Sequence, residues 1–250
     1  MRHYYGYVPD LKDDRDRDFL TWWPFPVKKE LPPKVDLRPG MSPVENQGEL
    51  GSCTANALIG AVEYLYKKSG LPFQDFSRLF VYWNERYMEG TVKADSGAQI
   101  RDGIKSLARW GVCFEKNWPY DISKFQDEPP RACYDEAGNH QITNYNRIKT
   151  LDQMKSCLAD GFPFVNGFPV YESMETEEVA KTGIVPDPDP DNEQCLGGHA
   201  VLTCGFDDAI QRFIVRNSWG DWGMSGYFTV SYNYWKTLAS DLWVIRKEEC

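Results

Sequence analysis

The residues whose types and spacing could do chemistry are few. Cys53 lies in "NQGELGSCTANA", with Gln47 six residues before it; His199 lies in "GGHAV", and Asn217 closes "RFIVRN". A thiol attacks only as its thiolate, and a helix N-terminus favours that anion through unpaired N–H groups and partial positive charge. It also needs a proton acceptor. Of the three histidines, His3 falls in a proline-rich arm and His140 in a polar turn, while His199 opens an apolar strand beside glycines that permit close approach. A base works best when a third group holds its second ring nitrogen. Asn217 can do this, and Trp219 in "NSWG" can shield the bond from water. The Gln47 side-chain amide and the Cys53 backbone N–H supply two donors for an oxyanion.

Elements must bring these residues together. Leu58, Ala61, Val62 and Leu65 recur at helical spacing, which predicts a helix over Ser52 to Lys68 with Ser52 as cap and Cys53 in its first turn. Helices are also expected over Ser77 to Met88 and Ala98 to Arg109, and a short one over Leu151 to Ala159, entered by Thr150 and Gln153. After about residue 140 strand patterns dominate: "FPFVNGF", "HAVLTCGF", "RFIVRN", "GYFTVSY" and "LWVIR". Helices first and strands later predict an α+β protein. The expected division is an arm over 1–30, a mainly helical lobe over 31–139 and a mainly β lobe over 140–250. Prolines punctuate the arm, and Phe19, Trp22, Trp23 and Phe25 are expected to dock it on the body, because exposed aromatic surface is costly.

Composition narrows the partners. A formal charge of −9 with no basic face argues against nucleic acid, and no apolar run is long enough to span a bilayer. The first residues carry no apolar stretch of the secretory kind, so a cytoplasmic protein is the default expectation. Seven cysteines make an odd count, with no CxxC pair of the kind structural zinc sites use. The acidic stretch "VPDPDPDNEQCL" lacks calcium-loop spacing and is expected to be a solvated loop at the rim of the site. Oligomeric state is not legible.

Each of the four chemical residues has a plain packing or turn explanation when taken alone. Their occurrence in order, within extended strings, is what decides. "NQGELGSC", "GGHAV" and "RNSWGDWGMSGYF", together with "VDLRPG" and "IRDGIKSLARWGVCFEKNWPY", resemble the papain family of cysteine peptidases over most of residues 31 to 235. Two departures stand out. Leu50 occupies a position where many relatives have a disulfide cysteine, and Thr54 one where they have an aromatic residue, so the usual disulfides are not carried over.

The resemblance implies a two-lobed fold, with a helical lobe facing a β-barrel-like lobe across a cleft that binds a peptide or protein substrate. It implies a thiolate–imidazolium pair of Cys53 and His199, orientation of the ring by Asn217, an oxyanion site at Gln47, a thioester acyl-enzyme, and no metal or organic cofactor. Ser96, Gly97, Gly198, Trp219 and Asp241 are the expected substrate-binding residues, with Asp241 at the floor of a side-chain pocket. One histidine near the site favours an endopeptidase. The arm is expected to cross or flank the cleft, either limiting access as a short pro-segment or bracing the fold. An inactive peptide-binding module or an acyl-transferring ligase remain alternatives on the same residues.

Overall fold

The apolar positions expected to make a helix after Ser52 do so, but the helix is buried on almost every side. Side chains from Cys53 through Tyr66 are all withdrawn from solvent, and only Lys67 and Lys68 at its basic end emerge. A helix covered all round belongs to the centre of a fold. The computed structural model describes residues 3–22 and 30–247, without the side chains of Thr21 and Trp22. The expected docking of the Trp22 side chain, Trp23 and Phe25 lies outside the described residues, as does Cys250.

In chain order, the first half comprises a helical turn α1 (Phe19–Trp22), a short strand β1 (Lys34–Asp36), the central helix α2 (Cys53–Lys68), α3 (Arg78–Glu89), α4 (Ile100–Arg109) and α5 (Arg131–Ala137). Ser77 caps α3 by accepting the Phe80 N–H, and Gly90 ends it in a left-handed conformation. Ser52, by contrast, makes no capping bond to α2. Its hydroxyl is taken by Tyr120 and Asn56 instead, so the expected cap is corrected.

The second half comprises β2 (Asn144–Ile148), α6 (Leu151–Ala159), β3 (Phe164–Tyr171), α7 (Glu177–Thr182), β4 (Cys195–Asp207), β5 (Arg212–Arg216), a helical turn α8 (Trp222–Ser225) broken at Gly223, β6 (Tyr227–Ser231), α9 (Tyr232–Leu238) and β7 (Ser240–Arg246). Thr150 caps α6 through the Gln153 N–H. The sheet runs in the order β2-β7-β3-β4-β5-β6, every pairing antiparallel, with β1 added along β4. It does not close on itself, so the barrel-like lobe is an open, mixed-layer sheet.

One face of that sheet packs on the helices, the other on α6 and α9. Along β4, Ala200, Leu202 and Cys204 join the core that contains Leu58 and Phe80, while Val201 joins the core of Trp235 and Phe168. This alternation follows from the period of two in a strand. A register shift between Thr203 and Gly205 in the β4–β5 pairing lets Phe206 join the second core. His199 sits one residue before Ala200, where β4 meets the N-terminal end of α2.

Candidate active site

Cys53 is the first residue of α2 and fully buried. The backbones of Ala200, Gly6 and Thr54 lie close enough to its sulfur to favour the thiolate, against the effect of burial. The first of these belongs to the residue following His199 on β4, so helix and strand meet at the thiol. His199 is also fully buried; its Nε2 lies 2.8 Å from Asn217 Oδ1, and its Nδ1 has no hydrogen-bond partner among the described residues. Trp219 stacks on the imidazole, ring centroids 4.6 Å apart. Asn217 Oδ1 also accepts the Ser218 N–H at 2.9 Å, which holds the amide in place.

Gln47 is held from both sides. Its Oε1 accepts the Ser218 hydroxyl at 2.7 Å, and its Nε2 donates to the carbonyls of Leu50 and Tyr4, at 2.9 and 3.1 Å. Arg216, the last residue of β5, donates to the carbonyls of Ser42 and Pro43 and ties this loop to the strand that leads into Asn217. The Ser218 hydroxyl couples the Gln47 and Asn217 segments, a link that no spacing in the sequence could disclose.

The Tyr4 carbonyl belongs to the arm, which occupies the seam. Ala98 N donates to Gly6 O at 2.8 Å, Val8 N to Ala98 O at 3.0 Å, and Tyr7 N to Gly198 O at 3.0 Å. Gly6 passes so close to Gly51 that a Cβ on it would come within 1.7 Å of the Gly51 carbonyl oxygen. The Tyr7 ring lies on Gly167, and its hydroxyl bonds Ser240 and Asp241. Asp241 has a left-handed backbone, φ 51°, within the irregular start of β7. His3 stacks on Trp219 with centroids 3.9 Å apart, and with Tyr5 it bonds Glu175.

Of the expected substrate-binding residues, Gly97, Gly198, Trp219 and Asp241 all touch the arm; a Cβ on Gly97 would meet Gly6 O at 2.1 Å. The Ser96 hydroxyl bonds Thr91 and the Gly97 carbonyl, and beside it Ala98 is a main-chain partner of the arm. His3, Tyr5 and Glu175 escaped the sequence reading because their meeting depends on where the arm docks. His199 is therefore not the one histidine near the site, since the arm brings His3 to Trp219.

Burial sets the charge state. Desolvation pushes the Cys53 thiol up to about 11, against the backbone hydrogen bonds, and pushes His199 down to about 4, against its bond to Asn217. With the arm seated, burial thus favours the neutral form of each group.

A helix-borne cysteine beside a strand-borne histidine held by asparagine, on a mixed helix and antiparallel-sheet fold, has the architecture of a thiol peptidase. The family described as papain family cysteine protease matches residues 31–241, and the chain belongs to it. An uncharacterized peptidase C1-like protein of Acanthamoeba polyphaga mimivirus is 40% identical, covering 97% of this chain and 86% of that protein. Cysteine proteinase 2 of Zea mays is 26% identical over 79% of this chain, which spans 55% of that relative's length. Among solved structures, xylellain, a cysteine protease from Xylella fastidiosa, superposes with a TM-score of 0.89 at 43% identity, covering 98% of this chain and 96% of that one. The protein is a papain-family cysteine peptidase.

Proposed function

We propose that this peptidase acts through Cys53 as nucleophile and that arm residues 3–10 inhibit it by filling the substrate cleft. The carrying observation is the partner pattern of His199: Nε2 is bonded to Asn217, leaving Nδ1 unpaired, while the neighbouring Ala200 reaches the Cys53 sulfur. Nδ1 is thus the nitrogen available to take the thiol proton. Once the arm leaves, water enters, the desolvation that holds both groups neutral is relieved, and the helix N-terminus favours the thiolate.

The thiolate then attacks a substrate carbonyl, whose developing oxyanion takes the Gln47 Nε2–H and the Cys53 N–H. The imidazolium gives its proton to the departing amine, leaving a thioester. Water, deprotonated by His199, attacks the thioester and regenerates the thiol. Support for inhibition comes from the Tyr4 carbonyl, which already engages Gln47 Nε2, and from Gly6 beside the sulfur. We assign the arm to residues 1–30, the mainly helical lobe to 31–139 and the mainly β lobe to 140–250.

Turnover of a mixed fluorogenic peptide library by full-length protein and by Cys53→Ala, with labelling by a thiol-directed epoxide, tests the catalytic assignment. The variant is expected to lose both labelling and at least 99% of turnover. Residual turnover at the parent rate in Cys53→Ala would overturn it.

A further inference from the structure

Beyond the pocket filled by Tyr7, the arm inserts a second side chain into the body. The side chain of Asp10 is fully covered, and donors converge on its carboxylate from three residues. The Arg101 backbone N–H reaches Oδ1 at 3.0 Å; the Trp243 indole N–H and Arg147 Nη1 reach Oδ2 at 2.9 and 3.3 Å. Asp16 adds a second carboxylate, bridged by Arg101 Nε and Nη2 at 2.9 and 2.7 Å and by Arg147 Nη1 at 3.0 Å.

Every side-chain hydrogen bond described for Arg101 goes to the arm: to Asp16 and to the Leu11 carbonyl. Arg147 keeps one body partner, Asp241, the residue that also receives the Tyr7 hydroxyl. When the arm leaves, the body therefore presents the Arg101 guanidinium, 4% exposed while the arm covers it, with a second one beside it and an indole donor between. A planar fork of this kind suits a carboxylate better than any other peptide side chain.

We propose that Arg101, Arg147 and Trp243 form a carboxylate-recognition subsite adjoining the Tyr7 pocket, so that the open enzyme selects peptides carrying an acidic residue near a tyrosine. The inference rests on the reading of the arm's channel as the substrate cleft. Asp10 is then a resident mimic of a substrate side chain: it adjoins the Tyr7 pocket, and its backbone N–H shares Asp241 with the Tyr7 hydroxyl.

Full-length Gly6→Ala, whose added methyl cannot seat against Gly51, provides the open form with its arm still attached. Matched peptides holding a tyrosine, with Asp or Asn placed one to three residues to either side, are compared by kcat/KM. Their affinity is measured separately on Gly6→Ala/Cys53→Ala with fluorescently labelled peptides. At least one register should favour Asp over Asn by tenfold or more, and the ratio should collapse toward unity in Gly6→Ala/Arg101→Met. Arg101→Lys, which keeps the charge without the fork, should retain part of it, so a loss in Met from misfolding is recognisable.

Equal handling of Asp and Asn in every register would reduce Arg101 to an anchor for the arm and overturn the proposal, while turnover of both would leave the peptidase reading intact. An Asp preference untouched by Arg101→Met would also overturn it. Preferential binding of the Asp peptide by the double variant, with no turnover in Gly6→Ala, would uphold the subsite and sink the assigned mechanism instead.

Discussion

Asn217 shows how much of this site is held by single polar atoms. Its Oδ1 accepts from His199 and from the Ser218 N–H while Trp219 lies against the imidazole, so the ring has one orientation in which Nδ1 is free. Removing a buried hydrogen-bond partner of this kind costs about 1 to 3 kcal/mol. Applied to a base that must be oriented in the transition state, that is roughly a 5- to 150-fold loss of rate. Asn217→Ala is therefore expected to lower kcat within that range with little change in KM, as measured by steady-state peptide hydrolysis. An unchanged kcat would mean that the ring is positioned by Trp219 packing alone.

At the scale of elements, the informative one is the arm. Its backbone pairs with Ala98 on one side and Gly198 on the other, in the manner of an added strand, and Gly6 passes Gly51 where no Cβ would fit. Further along, Phe19 is fully buried in the second core and the Arg17 carbonyl accepts the Arg147 N–H. Phe19 anchors α1 separately, so residues 3–16 can lift while α1 stays docked. Gly6→Ala in the full chain should raise peptide turnover at least tenfold and speed epoxide labelling of Cys53, with the unfolding midpoint nearly unchanged. Turnover equal to the parent would make the arm a brace.

For the whole molecule, closure is linked to pH through the groups it buries. Burial, opposed by the Asn217 bond, holds His199 at about 4 against an ordinary 6.5. The open state therefore binds more protons between those values, and the contribution to closure is fully present above about 6.5 and lost as pH falls toward 4. Cys53, raised from 9.0 to about 11 by burial, contributes below 9 and loses that contribution as pH rises toward 11. Glu175 adds to the acid sensitivity: burial raises its pKa, but the bonds from His3 and Tyr5 outweigh this and lower it, so its contribution is lost below about 4.5. Asp10 opposes it, being raised by burial and then by Asp241. Hydrogen exchange at the Tyr7 and Val8 amides, corrected for the intrinsic rate, should show protection that is greatest between about pH 6.5 and 9 and at least tenfold weaker at pH 4.5. Protection that grows steadily toward acid would show that Asp10 dominates.

Much of this protein is legible in its sequence, because local spacing carries local structure. The helical period after Ser52, the alternation in "HAVLTCGF" and the order of Cys53, His199 and Asn217 suffice for an α+β peptidase with a thiol at a helix start. Local signals misled where a side chain had a better partner far away: Ser52 gave up its capping bond for Tyr120. The open sheet and the meeting of His3 with Trp219 depend on packing across long stretches of chain. So do the raised thiol and the lowered imidazole, since desolvation is a property of everything that surrounds a group. Residue order determined which groups can react; only the tertiary structure decided that the chain's own arm covers them, because that contact is made between segments with no periodic relation to each other.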